Sequence, residues 1–90
     1  MYILTLKGRE TEGAYSVINE RGEKVLYLFV DEDDAMRFAI MLEEDEYPEM
    51  NVIELDDDLV VNMCEMEGYR YTIITPNDIV IPPKDNDYFS

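Results

Sequence analysis

The stretch Asp31 to Glu46, DEDDAMRFAIMLEEDE, constrains this chain more than any other. Asp31 stands where a helix N-cap belongs, because its carboxylate can accept a hydrogen bond from a free N–H of the first turn. Glu32, Asp33 and Asp34 then place negative charge at the positive end of the helix dipole. Ala35, Phe38, Ala39 and Leu42 recur at i, i+3, i+4 and i+7 and predict the buried face, with Met36, Ile40 and Met41 widening it. Arg37 is spaced to pair with Asp33 at i, i+4. Pro48 ends the segment. The far end is harder to explain. Glu43, Glu44, Asp45 and Glu46 lie where the dipole prefers cations, at about 0.3–1 kcal/mol each at low salt. They read either as a solvated face that keeps an acidic chain in solution or as a contact surface for a basic partner.

Around this helix the pattern is one of strands. Tyr2–Leu6 and Ala14–Ile18 are β-rich, with the polar loop Lys7–Gly13 between them. Glu20-Arg21-Gly22-Glu23 reads as a hairpin turn. Val25–Val30 is apolar throughout, which fits a central strand covered on both faces. Met50–Leu55 is a fourth strand. Asp56-Asp57-Asp58 caps a second helix, Leu59–Glu67, which Gly68 closes. Tyr69–Thr75 is a fifth strand, and Ile79–Ile81 a brief extended piece. The order β-β-β-α-β-α-β predicts an α+β domain over residues 1–83: a sheet of about five strands with both helices on one face, a two-layer sandwich related to ferredoxin-like folds. Residues 84–90 are expected to form a mobile tail.

Charge narrows the function classes. The 90 residues carry a net charge of −15. Residues 1–30 hold four acids and four bases, residues 31–58 hold thirteen acids and Arg37 alone, and residues 59–90 hold five acids and two bases. Direct binding to nucleic acid or to an anionic membrane is therefore not expected. A basic protein would be attracted. Met1–Lys7 is too short for a signal-peptide core and lacks a basic leader, and no apolar run is long enough to span a bilayer. These features point to the cytoplasm.

The chemistry is narrow too. The chain has no His and one Cys. Nucleophile–His pairs and structural zinc sites are therefore absent, and Cys64, on an apolar helix face, reads as a buried thiol. The glycines are scattered and form no phosphate loop. Asp31–Asp34 and Asp56–Asp58 lack the calcium-loop pattern. No cofactor, metal site or catalytic residue is expected. Tyr69-Arg70-Tyr71 reads as core cover more readily than as a base-stacking platform. Met36, Met41, Met63 and Met66 read as core fillers.

Several pieces together carry a family resemblance: Glu12-Gly13-Ala14-Tyr15-Ser16, the run Phe29–Ala39 with its Glu32-Asp33-Asp34-Ala35 and Arg37, Leu42-Glu43, Pro48, Cys64 with Gly68-Tyr69, and Ile81-Pro82-Pro83 with Asn86. In this order and spacing they resemble a family of short proteins of unknown function from cyanobacteria, cyanophages and chloroplasts. The resemblance implies an intracellular protein of a photosynthetic lineage or its virus. It carries over no activity and no catalytic residue.

These features point to a non-catalytic binding or regulatory module working through protein–protein contacts. The alternatives are an acidic mimic of nucleic acid that blocks a basic protein, and a small carboxylate- or metal-dependent enzyme. Self-association as a homodimer stays open. The expected partner-binding edge joins Glu43, Glu44, Asp45 and Glu46 to Asp56, Asp57 and Asp58, on the premise that the two groups lie at the same end of the sheet.

Overall fold

A computed structural model of the protein describes residues 1–9 and 13–78 and the backbone of 87–89. The α+β class and the predicted element order are present: β1 (Tyr2–Leu6), β2 (Tyr15–Ile18), β3 (Lys24–Phe29), α1 (Glu32–Glu44), β4 (Met50–Glu54), α2 (Asp57–Glu67) and β5 (Arg70–Ile74). A sixth strand, β6 (Asp87–Phe89), pairs antiparallel with β2, so three residues of the expected tail belong to the sheet. The pieces expected at Ile79–Ile81 and Pro82-Pro83 lie outside the described residues.

β3 is the central strand. Val25 and Leu26 pair with β2 on one side and with β5 on the other. Phe29 pairs with Tyr2 of β1 and with Ile74 of β5. One edge of β3 is thus given wholly to β5, and the other is shared by β2 at its start and β1 at its end. β4 lies outside β1, antiparallel to it from Tyr2↔Glu54 to Leu6↔Met50. Since β1 runs against both β3 and β4, those two strands are parallel to each other, and β5 is parallel to both.

That topology decides where the helices go. The crossover from β3 through α1 to β4 passes over β1, and the crossover from β4 through α2 to β5 returns past it. Two crossovers of the same hand running in opposite directions place their helices on opposite faces. The side chains agree. Phe38 of α1 packs against Tyr27 and Phe29, with ring centroids 5.6 and 5.5 Å away. Leu28 points to the other face, is fully buried, and lies outside the cluster that Phe29 and Phe38 share. On that second face Tyr71, in register with Leu26, brings its hydroxyl 3.5 Å from Glu65 of α2. The buried residues of α2 are Val60 and Cys64. The expectation of both helices on one face is therefore corrected: β5 docks beside β3, so the second crossover runs back across the sheet and carries α2 over the opposite face.

The main core joins Leu4, Tyr15, Val17, Phe29, Ala35, Phe38, Leu42, Met50 and Ile74 under α1. Three of the four residues predicted for the buried face of α1, Ala35, Phe38 and Leu42, are buried, and Ala39 is half-buried. Met36 and Ile40 are not core residues; they are 48% and 56% exposed. Asp31 caps α1 by accepting from the Asp33 N–H at 3.1 Å, and Asp56 caps α2 by accepting from the Leu59 N–H at 3.0 Å. Arg37 pairs with Asp34 at 3.1 Å, one residue nearer than expected.

Both helices end in the same motif. At the end of α2 the Tyr69 N–H reaches Cys64 O and the Gly68 N–H reaches Glu65 O, with Gly68 left-handed at φ +73°. At the end of α1 the Tyr47 N–H reaches Leu42 O and the Glu46 N–H reaches Glu43 O, with Glu46 left-handed at φ +70°. This is the Schellman closure, and its left-handed position favours glycine. Glu46 carries a Cβ there and adds an anion to the negative end of the dipole. Glu46→Gly is expected to raise stability by about 1 kcal/mol at low salt, as relief of left-handed strain and charge outweighs glycine's chain entropy. A urea midpoint that falls instead would show that Glu46 makes a compensating contact.

Candidate binding surface

The two acidic groups expected to form one edge lie at opposite ends of β4. Glu43, Glu44, Asp45 and Glu46 precede its first residue and Asp56, Asp57 and Asp58 follow its last. Five residues of strand separate them by about 17 Å. A helix that returns the chain to the start of a parallel strand leaves its C-terminus at that start, and the next helix begins beyond the strand's far end. The premise of a shared side is thus corrected. Part of the second group is also engaged: Asp56 is the α2 cap, and Asp57 forms an ion pair with the Met1 amino group.

The neighbours of Asp56–Asp58 are instead Met1, Glu54 and Leu55, at the end of the β1–β4 pair where Tyr2 faces Glu54. The Tyr2 hydroxyl lies 3.4 Å from Glu54 Oε2. It is pushed above the ordinary phenol value by desolvation, then by Glu54, Glu32 and Asp31. Tyr2 and Glu54 have no sequence signal tying them to this end; the β1–β4 register places them there. Among the described residues no group of three or more carboxylates and thiols is arranged to hold a metal ion.

Glu43 belongs to a different feature, an open groove of about 350 Å³ between α1 and the outer side of β4. Its middle is apolar, formed by Met36, Ala39 and Ile40 of α1 and by Met50 and Val52 of β4. Glu32 stands toward one end, and Glu43 and Glu49 toward the other. Helical spacing explains the helix side: Glu32, Met36, Ile40 (or Ala39) and Glu43 succeed one another at i+4 or i+3 and form one stripe beside the buried one. Glu49 is bridged to Lys7 at 3.2 Å, both side chains being more than half exposed, so that pair contributes little on its own.

A second groove, about 390 Å³, lies on the α2 face and is lined by Ala14, Ser16, Leu26, Lys24, Tyr69 and Arg70, with Gly13. Tyr69 is 62% exposed, so it does not cover the core as expected, while Tyr71 is half-buried. Arg70 is bound to Glu23 Oε2 at 2.5 Å. Outside both grooves, Leu59, Met63 and Met66 form an exposed stripe along α2. Of the four methionines read as core fillers, only Met41 packs against the main core. Cys64 is buried as expected, and burial, then Glu65, push its thiol up, away from thiolate chemistry.

No helix among the described residues is long and apolar enough to cross a membrane. The chain belongs to the family described as a domain of unknown function, DUF3110, whose match covers residues 1–84. No curated protein and no solved structure matches it.

Proposed function

We propose that this member of a family without an assigned activity is a non-catalytic binding module that holds a basic protein in the cytoplasm. The observation that carries the proposal is the α1–β4 groove, where exposed Met36 and Ile40 lie between carboxylates at both ends. An apolar strip exposed to water and flanked by charge of one sign is what a contact surface needs: apolar area for affinity, and a field for steering and selection. The lone buried cysteine fits a reducing compartment. The nucleic-acid-mimic version asks for one continuous array of carboxylates, and the separation of the two clusters along β4 weighs against it.

Glu43→Gln combined with Glu44→Gln tests the role of charge. Both residues are exposed and both oppose the α1 dipole. Thermal stability at low salt should rise by about 0.6–2 kcal/mol for the pair. Capture of a basic partner from a lysate of the source organism should weaken, and the wild-type interaction should fade by about 0.5 M salt, where the screening length is about 4 Å. A captured protein that is acidic, or capture indifferent both to the double substitution and to salt, would sink this reading.

A further inference from the structure

We propose that the partner adds a strand to the outer edge of β4, using a short extended segment that is apolar in the middle and carries Lys or Arg at both ends. The inference rests on the basic-partner reading and goes further by assigning the mode of contact and the backbone groups that make it.

The ladder between β1 and β4 shows which groups are on offer. The Leu55 N–H donates to Met1 O at 2.7 Å and the Met1 amino group donates to Leu55 O at 2.7 Å, while the Lys7 N–H donates to Glu49 O at 3.1 Å. In an antiparallel pair, bonded and non-bonded positions alternate. With the observed register, Ile53 and Asn51 therefore exchange bonds with Ile3 and Thr5. Met50, Val52 and Glu54 turn their N–H and C=O groups the other way, toward the outer edge. Among the described residues no strand pairs on that side. An edge of this kind is a template for another strand.

What lies over the edge selects the occupant. Side chains of an added strand alternate between the two faces. Those on the α1 face would enter the groove beside Met36, Ile40 and Val52, which asks for apolar residues there. The carboxylates sit at the two ends: Glu32 and Glu54 where β4 finishes, Glu43 and Glu49 where it starts. Glu32 and Glu43 are eleven residues apart on one helix, about 16–17 Å. A five-residue strand covers about the same length. A segment of that length with a basic residue at each end would meet carboxylates at both ends while its centre lies on apolar surface. A second copy of this chain, acidic throughout the same region, is a poorer match by charge.

The probe is a seven-residue capped peptide, Lys-Arg-Val-Thr-Val-Arg-Lys, fluorescently labelled and titrated with the whole protein at low salt. Two further versions carry N-methyl groups on one or the other alternating set of residues. All three have the same charge, but only one methylated set removes the N–H groups that would face β4. Strand addition is expected to make that set bind at least about tenfold more weakly, the loss of roughly one hydrogen bond or more, and to leave the other set close to the parent. Amide shifts on binding should centre on Met50, Val52 and Glu54.

On the protein, Ile40→Lys should abolish binding without unfolding the domain, since Ile40 is exposed. Val52→Pro should weaken binding by a similar factor with the β1 ladder intact, because the Val52 N–H does not serve that ladder. Equal affinity for both methylated versions, with binding still sensitive to salt, would overturn strand addition and leave the basic-partner reading standing. Failure of all three peptides while the partner is still captured would overturn it as well. If neither peptide nor partner binds, both readings fall.

Discussion

Replacing Phe38 with alanine is expected to cost about 3–5 kcal/mol, among the largest single-residue effects in this domain. Phe38 is 1% exposed, and its ring centroid lies 5.5 Å from those of Tyr15 and Phe29 and 5.6 Å from that of Tyr27. These partners come from β2 and β3, so one side chain of α1 ties the helix to two strands. Removing it takes away edge-on aromatic contacts as well as apolar burial, and the surrounding rings are too stiff to fill the space. For a domain of this size each kcal/mol is worth about 4–8 °C in Tm, so a fall of more than about 12 °C is expected. Native stability is itself about 5–15 kcal/mol, and the variant would be partly unfolded at the low end of that range. Phe38→Leu keeps much of the volume and should lose markedly less. A melting temperature unchanged in Phe38→Ala would mean that α1 presents a different face to the sheet.

Phe38 is legible in the sequence because periodicity in a long, capped helix is a strong local signal. The same signal misplaces Met36 and Ile40. A stripe widened by two apolar residues can be a broad core face, or a core face next to an exposed one, and periodicity alone does not separate them. What separates them is the edge of β4, since it is the outermost strand on that side among the described residues, and none of those covers Met36 and Ile40 of α1. The central position of β3 is legible from its unbroken apolar run. Its shared edge is not, because pairing partners are set by contacts remote in sequence. The cap residues Asp31 and Asp56 are legible, as is the left-handed Gly68. Glu46 is not, because it takes a backbone conformation its side chain disfavours, and no residue type announces that. Of the expected acidic edge, Glu43 stays with the groove. Asp56–Asp58 go to the other end of the strand, a consequence of chain direction that a count of charges does not contain.

The second face supplies the other large effect. Leu28→Ala is expected to cost about 2–5 kcal/mol, because Leu28 is fully buried yet lies outside the cluster under α1. Two adjacent buried residues of one strand, Leu28 and Phe29, point to opposite faces, so something other than α1 must exclude water from Leu28. α2 is the element on that side, and it buries Val60 and Cys64 while exposing Leu59, Met63 and Met66. A double-mutant cycle turns this geometry into numbers. Leu28→Ala and Val60→Ala should be non-additive, with an interaction of about 0.5–3 kcal/mol, as expected for side chains that share one packed layer. Leu28→Ala and Phe38→Ala, separated by the thickness of the sheet, should add to within about 0.5 kcal/mol. The contrast distinguishes a sheet covered on both faces from a two-layer sandwich, in which Leu28 would face solvent and its truncation would cost almost nothing. Strong coupling of Leu28 to Phe38 with none to Val60 would place Leu28 in the α1 layer and overturn its assignment to the α2 face.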